Sequence, residues 1–430
     1  MRKLLSLLPA LVVALSVGAA EIPILGWHGM PPEMVSAARY AEARDMGMTI
    51  INQGSPDIET ARRFLDLAQS VGLKLCIGVK ELAEEETCAS VALALKDHPA
   101  LAMYYIGDEP TIPKFPKVGR IVKALSEADP GHPAYVNLIS CVMANPARWY
   151  GGVERYPDYL QAFFEEVPAK ILSIDAYPII AKERFPEGAP LRTCPAGYSV
   201  KTNWFETLEA ALPLCREHGV PLYAFANCCA HSMSLYDYAE TQVQHLMLQH
   251  NVNLAYGAQL LQYYSYWPFS PNTRMRNQSQ TFTNGEPFLR TSIYDRVREA
   301  NRRVQARAPV FVGGEVVRVR HTGEEIPVAT TRLAPDDLPA WVASLETPDG
   351  GAVVSIIRNR GREFLVVVNR SVERELTLKV ALAPGTKRIR EDGSVVDAAR
   401  YSGEYWLEPG AMEVFVNAPA PKGATAAFQQ

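Results

Sequence analysis

The sequence has little of what metal sites and nucleic-acid-binding surfaces require. It contains seven cysteines and eight histidines among 430 residues, with neither a C-x-x-C pair nor a paired-histidine motif, so no zinc site is predicted. The formal net charge is −4, and without a basic excess nucleic acid and anionic membranes are poor candidates as partners. No cofactor and no metal ion is therefore expected.

The N-terminal apolar run is short for a membrane span. Residues 1–3 are basic after the initiator methionine, residues 4–17 are apolar, and residues 18–20 are small. This order is typical of a secretory signal peptide, with cleavage near Ala20. The alternative is an uncleaved anchor. We expect a mature chain that begins near Glu21 and acts in the periplasm or outside the cell.

The part of the chain after the signal is too long for one ordinary domain and suits a large domain followed by a smaller one. Short apolar runs alternate with helical apolar spacing, which favours a parallel sheet, and eight repeats favour a closed (β/α)₈ TIM barrel over residues 21–308. Strands are predicted at 24–27, 49–52, 74–78, 101–107, 134–138, 171–176, 222–226 and 259–266. Helices are predicted at 32–44, 58–71, 84–96, 114–128, 156–167, 203–218, 238–250 and 292–306.

The apolar pattern changes after residue 308. Short strands separated by turns such as Asp392-Gly393 predict a small antiparallel β-sandwich over residues 309–418. Residues 419–430 are rich in alanine, proline and glycine and are predicted to be disordered. Sandwich strands are predicted at 315–319, 341–347, 352–358, 363–369, 375–380, 387–391 and 412–416.

The fourth predicted barrel strand ends in two adjacent acids, Asp108 and Glu109. A buried strand cannot carry both acids without partners, and the carboxyl ends of barrel strands are where such folds do chemistry. Cleavage of a glycosidic bond needs a carboxylic acid that gives a proton to the leaving oxygen. We predict Glu109 as this general acid, with a pKa raised by desolvation and by the charge of Asp108. Because adjacent strand residues point to opposite faces, we expect only one of the two acids to face the pocket directly.

Asp175, at the end of the sixth strand, is the best remaining candidate for a second catalytic carboxylate. One strand separates it from Glu109, which suits the spacing of roughly 6.5–9.5 Å in inverting glycosidases better than the ~5 Å of retaining ones. Its predicted role is the base that activates water. The alternative is an acid that orients the ligand or holds a loop, and Asp237 is a reserve candidate.

Aromatic and amide side chains at the other strand ends predict a sugar-binding pocket. Sugar rings present apolar faces that pack against aromatic rings, and amides bind their hydroxyl groups. The expected substrate is an oligosaccharide or glycoconjugate. The candidate substrate-binding residues are Trp27, His28, Gln53, Asp108, Asn137, Tyr177, Asn227, Gln262, Tyr264 and Trp267, with Gln259 as a further hydrogen-bonding candidate.

The chain resembles secreted bacterial glycoside hydrolases of the clan A superfamily, which includes the β-galactosidase-like families. The segments that carry the resemblance are YYIGDEP (104–110), HPAYVNL (132–138), LSIDAYP (172–178), LAYGAQLLQYYSYW (254–267), VVVNRS (366–371) and LEPGAMEVF (407–415). The resemblance implies a barrel with a small C-terminal β-domain, hydrolysis of O-glycosyl bonds, and Glu109 at the acid/base position.

Two positions depart from the clan A pattern. The clan places a nucleophilic glutamate at the end of the seventh strand, where this chain has Asn227-Cys228-Cys229, and it places asparagine where this chain has Asp108. Asp175 could take the second role with inversion, the mechanism could be unusual, or activity could be lost. The predicted function is removal of sugars from the end of a complex glycan. The alternatives are a non-catalytic glycan-binding barrel and a sialidase-type hydrolase, which would use arginines such as Arg148, Arg192, Arg274 and Arg276.

Overall fold

A computed structural model describes residues 20–184, 196–232, 236–238, 240–267, 290–398 and 403–417. The predicted signal peptide, apart from Ala20, and the predicted disordered tail lie outside the described residues, as do Arg192, Arg274 and Arg276. Within the described ranges, no helix has both the length and the apolar character needed to cross a membrane.

Eight parallel strands close into a barrel, each paired with its neighbours in chain order, and the last strand pairs with the first. The strands bury most of their side chains, which are largely apolar but include polar ones such as Asn137, Ser173 and Gln262. The predicted TIM barrel is confirmed. The strands are β1 (Ile24–Gly26), β2 (Ile50–Gly54), β3 (Lys74–Gly78), β4 (Leu101–Asp108), β5 (Ala134–Ile139), β6 (Leu172–Asp175), β7 (Leu222–Asn227) and β8 (Ala258–Tyr264).

Helices cover the outside of the barrel. In the second helix the buried residues are Ala61, Phe64, Leu65 and Ala68, at the spacing that forms one face of a helix against the sheet. The helices are α1 (Ala37–Asp45), α2 (Ile58–Ser70), α3 (Cys88–Leu95), α4 (Phe115–Ala128), α5 (Pro146–Tyr150), α6 (Tyr156–Glu166), α7 (Asn203–His218), α8 (Val243–Ala255), α9 (Ser292–Ala306) and α10 (Ala308–Phe311). Short 3₁₀ turns lie at Pro32–Met34, Lys80–Ala83, Ile112–Lys114 and Pro335–Asp337.

The predicted helix at 238–250 is shifted toward the C terminus. Asp237–Tyr238 forms a short antiparallel pair with His231–Ser232 instead. Helix α8 begins at Val243, after Gln242, whose backbone N–H donates to Nδ1 of His245 at 3.2 Å. A second short pair, Ile179–Ala181 with Tyr198–Val200, lies between β6 and α7. Both pairs lie in segments that follow barrel strands.

The C-terminal region is an antiparallel β-sandwich, as predicted. Its strands are β9 (Glu315–His321), β10 (Val342–Glu346), β11 (Ala352–Asn359), β12 (Arg362–Asn369), β13 (Leu376–Leu382), β14 (Lys387–Ile389), β15 (Val395–Asp397), β16 (Glu404–Leu407) and β17 (Met412–Val416). A six-stranded sheet has the order β9-β11-β12-β17-β14-β15, and it packs on a three-stranded sheet of order β10-β13-β16. Two of the strands, β15 and β16, are not predicted from the sequence.

The sandwich packs directly on the barrel through helix α8. Side chains of β11 and β12, such as Val353 and Val366, belong to the same apolar cluster as the barrel core. Ser355 Oγ donates a hydrogen bond of 2.7 Å to the carbonyl of Ala255, and Asn251 Nδ2 donates one of 2.8 Å to the carbonyl of Gly410. These contacts fix the back of α8, the helix that follows β7.

Candidate active site

The carboxyl ends of the barrel strands surround a cavity of about 390 Å³. This volume lies within the ~300–1,000 Å³ that is common for small-molecule sites. The structure brings seven of the twelve predicted site residues together in its lining. They are Trp27, His28, Asp108, Glu109, Asp175, Tyr177 and Tyr264.

Both acids of the Asp108-Glu109 pair line the cavity. The expectation that only one of them could face it is wrong, because the backbone is not extended at this point. The register of β4 against β5 shifts between Tyr105 and Gly107, the strand ends at Asp108, and Glu109 has a positive φ of 43°. A left-handed conformation at a non-glycine residue carries strain of about 1–3 kcal/mol and is concentrated at functional sites.

A chain of buried polar side chains holds Asp108 from below. Asn137 Nδ2 donates to Asp108 Oδ1 at 3.0 Å, and Ser173 Oγ donates to Asn137 Oδ1 at 2.9 Å. Gln262 Nε2 donates to Ser173 Oγ at 2.9 Å, and the hydroxyl of Tyr135 donates to Gln262 Oε1. Asn137 and Gln262, predicted as substrate-binding residues, therefore lie beneath the cavity and support one of its acids.

Asp175, the last residue of β6, also lines the cavity. In the sheet it is level with Ile139, the last residue of β5. Burial raises the pKa of Asp175 well above its ordinary value, and the charges of Glu109 and Asp108 raise it further. One of its carboxyl oxygens, Oδ1, is buried and has no hydrogen-bond partner among the described residues.

Glu109 has the pKa that a proton donor needs. Burial is the largest cause and the charge of Asp108 the next, and together they raise the pKa of Glu109 from 4.5 to about 7. Burial also raises the pKa of Asp108, although the hydrogen bond from Asn137 acts the other way. Asp108 is exposed to solvent, and it lines the cavity.

Glu109 and Asp175 interact electrostatically. The charge of Glu109 raises the pKa of Asp175, and both carboxyl groups line the same cavity. An inverting pair is roughly 6.5–9.5 Å apart because a water molecule must fit beside the sugar. The assignment of Asp175 as the base of an inverting mechanism stays a prediction.

Aromatic rings form another part of the lining. Trp27 packs edge-on against Tyr105 and Phe225, with ring centroids 5.3 and 5.5 Å apart. Tyr177 lies against Tyr264 at 4.9 Å. His28 is held at a positive φ of 56°, and burial lowers its pKa to about 3, so its imidazole is neutral. A neutral ring can exchange hydrogen bonds with a sugar but is a poor acid.

Three further predicted residues, Gln53, Trp267 and Asn227, do not line the cavity. Gln53 Nε2 donates to the carbonyl of Met30 at 2.7 Å, and the Trp267 ring lies under the guanidinium of Arg39, with the guanidinium carbon 5.0 Å from the ring centroid. Asn227, at the end of β7, is fully buried. Two other candidates also lie elsewhere: Gln259 donates to the carbonyls of Gly257 and Phe311, and Asp237 pairs with Arg184.

Sequence reasoning missed one side of the cavity. Lys201 follows the short strand Tyr198–Val200, its ammonium lies 5.1 Å from the ring centroid of Tyr236, and it donates to the hydroxyl of Tyr238 at 3.3 Å. Burial lowers the pKa of Lys201 to about 8, while the charge of Asp175 opposes this shift. Because these residues lie in segments that follow strands β6 and β7, no strand-end pattern could indicate them.

An apolar wall was also missed. Ile139, at the end of β5, lines the cavity together with Cys141 and Val142, which follow the strand. Met143 and Trp149 also line it, with 61% and 46% of their surfaces exposed. Exposed large apolar side chains at a pocket are suited to ligand contact. Arg148, the described member of the arginine set, lies beside Trp149, 5.9 Å from its ring centroid, and does not line the cavity.

No metal site is evident among the described residues, where no group of three histidine, cysteine, aspartate or glutamate side chains is arranged to hold an ion. The fold and the cavity define a TIM-barrel protein with a cluster of three acids at the carboxyl ends of its strands. The sequence matches no protein-family model and no curated protein.

Solved structures share the architecture. A family 39 glycoside hydrolase from the gut symbiont Bacteroides cellulosilyticus WH2 is 11% identical and has a TM-score of 0.50, with 93% of this chain and 81% of that chain covered. A β-galactosidase from the psychrophilic Marinomonas ef1 is 12% identical with a TM-score of 0.47, over 66% of this chain. The match spans 60% of the β-galactosidase's length. At these identities the likeness shows the fold, and both neighbours are glycoside hydrolases.

Proposed function

We propose that this protein is a glycoside hydrolase in which Glu109 donates a proton to the leaving oxygen. The observation that carries the proposal is Glu109 itself, a carboxyl group that lines a barrel cavity with a pKa of about 7. A general acid works best when its pKa is near the working pH, because it is then still protonated and still a strong donor.

The remainder of the lining supports a sugar as the ligand. Trp27, Tyr177 and Tyr264 present rings, and Trp149 offers a further exposed ring at the edge of the cavity. A cavity walled in this way suits the end of a glycan chain better than its interior. The N-terminal residues 1–20 support the further proposal that the protein is exported and acts in the periplasm or outside the cell.

The test compares the wild-type protein with Glu109→Gln on a panel of aryl glycosides and natural oligosaccharides. The amide keeps the shape of the side chain but cannot donate the proton, so kcat/KM is expected to fall by about 10²–10⁴-fold. The loss should be largest for natural glycans, because their leaving groups need protonation most. The measurement is initial rate against substrate concentration.

Glu127→Gln provides the matched control. Glu127 is exposed on helix α4, so the same chemical change there should leave kcat/KM as in the wild type. Equal rates for Glu109→Gln and the wild type would remove Glu109 from the mechanism.

A second candidate function is glycan binding without turnover. The absence of an acid at the end of β7 favours it, since the clan that the chain resembles uses a glutamate there. If the wild type and Glu109→Gln bind the same oligosaccharide with equal affinity and neither cleaves it, the binding function stands and the hydrolase is excluded.

A further inference from the structure

Lys201 carries the only ammonium or guanidinium group among the described residues that line the active-site cavity. Its side chain is only partly exposed to solvent. The ammonium lies 5.1 Å from the ring centroid of Tyr236 and 5.6 Å from that of Tyr238, and it donates to the hydroxyl of Tyr238 at 3.3 Å. A cation held in a cavity in this way needs a compensating negative charge.

No carboxylate of the chain supplies that charge at contact distance. Within the described ranges, no carboxylate oxygen lies within 4.0 Å of the Lys201 ammonium. Asp175 acts on it from farther away, and burial raises the pKa of Asp175, so that it carries less charge near neutral pH than an ordinary aspartate. The two tyrosine rings offset only part of the cost of removing an ammonium from water.

The backbone around Lys201 is fixed, and it lies next to the start of a long helix. The Lys201 N–H donates to the carbonyl of Pro178 at 2.8 Å, and helix α7 begins two residues later, at Asn203. The N-cap residue, Thr202, makes no side-chain hydrogen bond to the first turn of α7. Glu206, the acid of that turn, does not line the cavity. Because a helix N-terminus favours negative charge, α7 adds to the positive field of Lys201.

A recess of about 10 Å³ adjoins the cavity and shares Tyr177, Lys201 and Asn203 with its lining. It has the size of about one water molecule or one ligand oxygen. Trp204 also lines the recess. This residue is 2% exposed, and its Nε1 has no acceptor in the part of the chain that the structure describes. Since buried donors are rarely left without an acceptor, the recess is suited to an oxygen atom.

We propose that Lys201 and the start of α7 form a subsite for an oxyanion on the sugar substrate, a carboxylate or a sulfate group. This inference rests on the proposed hydrolase function and names its substrate class. One oxygen of the anion accepts from the Lys201 ammonium, and another enters the recess beside Trp204. Because Glu109 lines the same cavity of about 390 Å³, the anion belongs to the sugar whose glycosidic bond is cleaved or to its immediate neighbour.

The acids of the cavity do not exclude an anion from this subsite. Burial raises the pKa of Asp108, Glu109 and Asp175, so all three carry less negative charge near neutral pH than they would in water. In the barrel, β5 separates β6, the strand that precedes Lys201, from β4, which carries the first two acids. The proton donor and the cation therefore come from different strand ends, as a substrate with a glycosidic oxygen and an anionic group requires.

The experiment uses matched 4-nitrophenyl glycosides that differ only at C6, which carries a hydroxymethyl, a carboxylate or a sulfated hydroxymethyl group. Both anomers are used in the gluco and galacto series. A 4-nitrophenyl ketoside of a sialic acid places the carboxylate at the anomeric carbon instead. We expect kcat/KM to be about 10- to 100-fold higher for an anionic member than for its neutral partner, because hydrogen bonds to charged groups are strong. The series distinguish carboxylate from sulfate and show where on the sugar the anion lies.

Two variants of Lys201 locate the effect. Lys201→Met keeps the length of the side chain and removes its charge, so the ratio of kcat/KM between anionic and neutral members should fall to near one, mainly through KM of the anionic member. Lys201→Arg keeps the charge and should retain most of the preference, which a merely structural role does not predict. Lys123→Met makes the first change at an exposed position on α4 and should leave the ratio as in the wild type.

Calorimetry tests the subsite without turnover. Glucuronate, galacturonate, a free sialic acid and glucose 6-sulfate are titrated into the wild type and Lys201→Met, with glucose and galactose as neutral probes. At least one anionic sugar should bind the wild type with a Kd about 10-fold or more below that of the neutral sugars. Lys201→Met should lose this difference.

The outcomes separate the subsite from the hydrolase. Equal or better turnover of the neutral members by the wild type overturns the inference and leaves the hydrolase standing. A preference for anionic sugars that survives in Lys201→Met also overturns it, because another group then binds the anion. Binding of an anionic sugar that depends on Lys201, without cleavage of any glycoside, supports the subsite and excludes the hydrolase. If no glycoside is cleaved and no anionic sugar binds, both fail.

Discussion

The ends of β4 and β7 lie on the same face of one barrel and differ in almost every physical respect. At the end of β4 the backbone enters a left-handed conformation and Asp108 and Glu109 line the cavity. At the end of β7 the backbone N–H of Asn227 donates to Gln249 Oε1 at 2.8 Å, and that of Cys228 donates to the carbonyl of Tyr264 at 2.9 Å. The β4 end is strained and charged, whereas the β7 end is sealed and neutral.

The difference shows what makes a strand end suitable for chemistry. Helix α8 follows β7 and turns Gln249 and Asn253 inward, where they donate to backbone carbonyls of β7. Burial raises the pKa of Cys228 well above its ordinary value, so its thiol stays neutral. A side chain at this position serves the packing of α8 and β8, and the cavity depends on the other strand ends for its acids.

The largest effect is expected from placing an acid at the end of β7. Asn227→Asp puts an ionisable group where the side chain is fully buried, so the free energy of unfolding should fall by about 3–5 kcal/mol. The buried carboxyl would have a raised pKa, so the loss should grow as the pH rises. Urea denaturation at several pH values measures it.

Asn417→Asp makes the same change at an exposed position and should shift the free energy of unfolding by less than about 0.5 kcal/mol. If Asn227→Asp is as stable as this control, the β7 end is not sealed and the contrast with β4 is wrong.

The contrast also explains which parts of the site were predictable. Apolar runs define β4 and β6, so Glu109 and Asp175 follow from pattern alone, and parallel strands bring them to one face. The convergence of Asp108 and Glu109 depends on a single backbone torsion angle, φ of Glu109, that no pattern encodes. Lys201 lies beyond a short strand pair, which only long-range packing positions.

The amides show a second reason for failure. Asn137, Asn227 and Gln262 stand at strand ends as a sugar-binding residue would, yet each is fully or almost fully buried. The end of a strand is predicted from sequence only to within about two or three residues. Such a prediction cannot distinguish the layer of side chains that faces the ligand from the layer below it. Asn137 and Gln262 each bond Ser173, a buried side chain beneath the cavity. An amide at a strand end therefore predicts the site's support as readily as its surface.

An intermediate effect on stability is expected from removing the acid at the end of β6, which the charges of the β4 acids influence. The raised pKa of Asp175 means that its contribution to stability is complete below its unfolded value of ~3.9 and is lost as the pH rises above it. Asp175→Asn removes this loss, so at pH 8 the variant should be about 1–3 kcal/mol more stable than the wild type. The two should converge near pH 4, and Asp97→Asn should show no such difference.

The smallest expected effect is a shift in the pH dependence of kcat/KM, which tests how the charge of Asp108 influences the pKa of Glu109. The charge of Asp108 is the second cause, after burial, of the raised pKa of Glu109, which is about 7. Glu109 must be protonated to act as the acid, so kcat/KM of the wild type should fall as the pH rises through about 7. Asp108→Asn removes the charge, which lowers the pKa of Glu109 and should move this alkaline limb to lower pH.

The shift should be smaller than the full displacement of the Glu109 pKa from 4.5 to about 7, because desolvation remains in the variant. Asn is nearly isosteric with Asp and can still meet Asn137 through its amide, so the fold at the end of β4 should persist. An alkaline limb that stays in place would mean that burial alone sets the acidity of Glu109. The adjacent pair would then owe its function to shape and hydrogen bonding, and the charge of Asp108 would have no part in setting the acidity of Glu109.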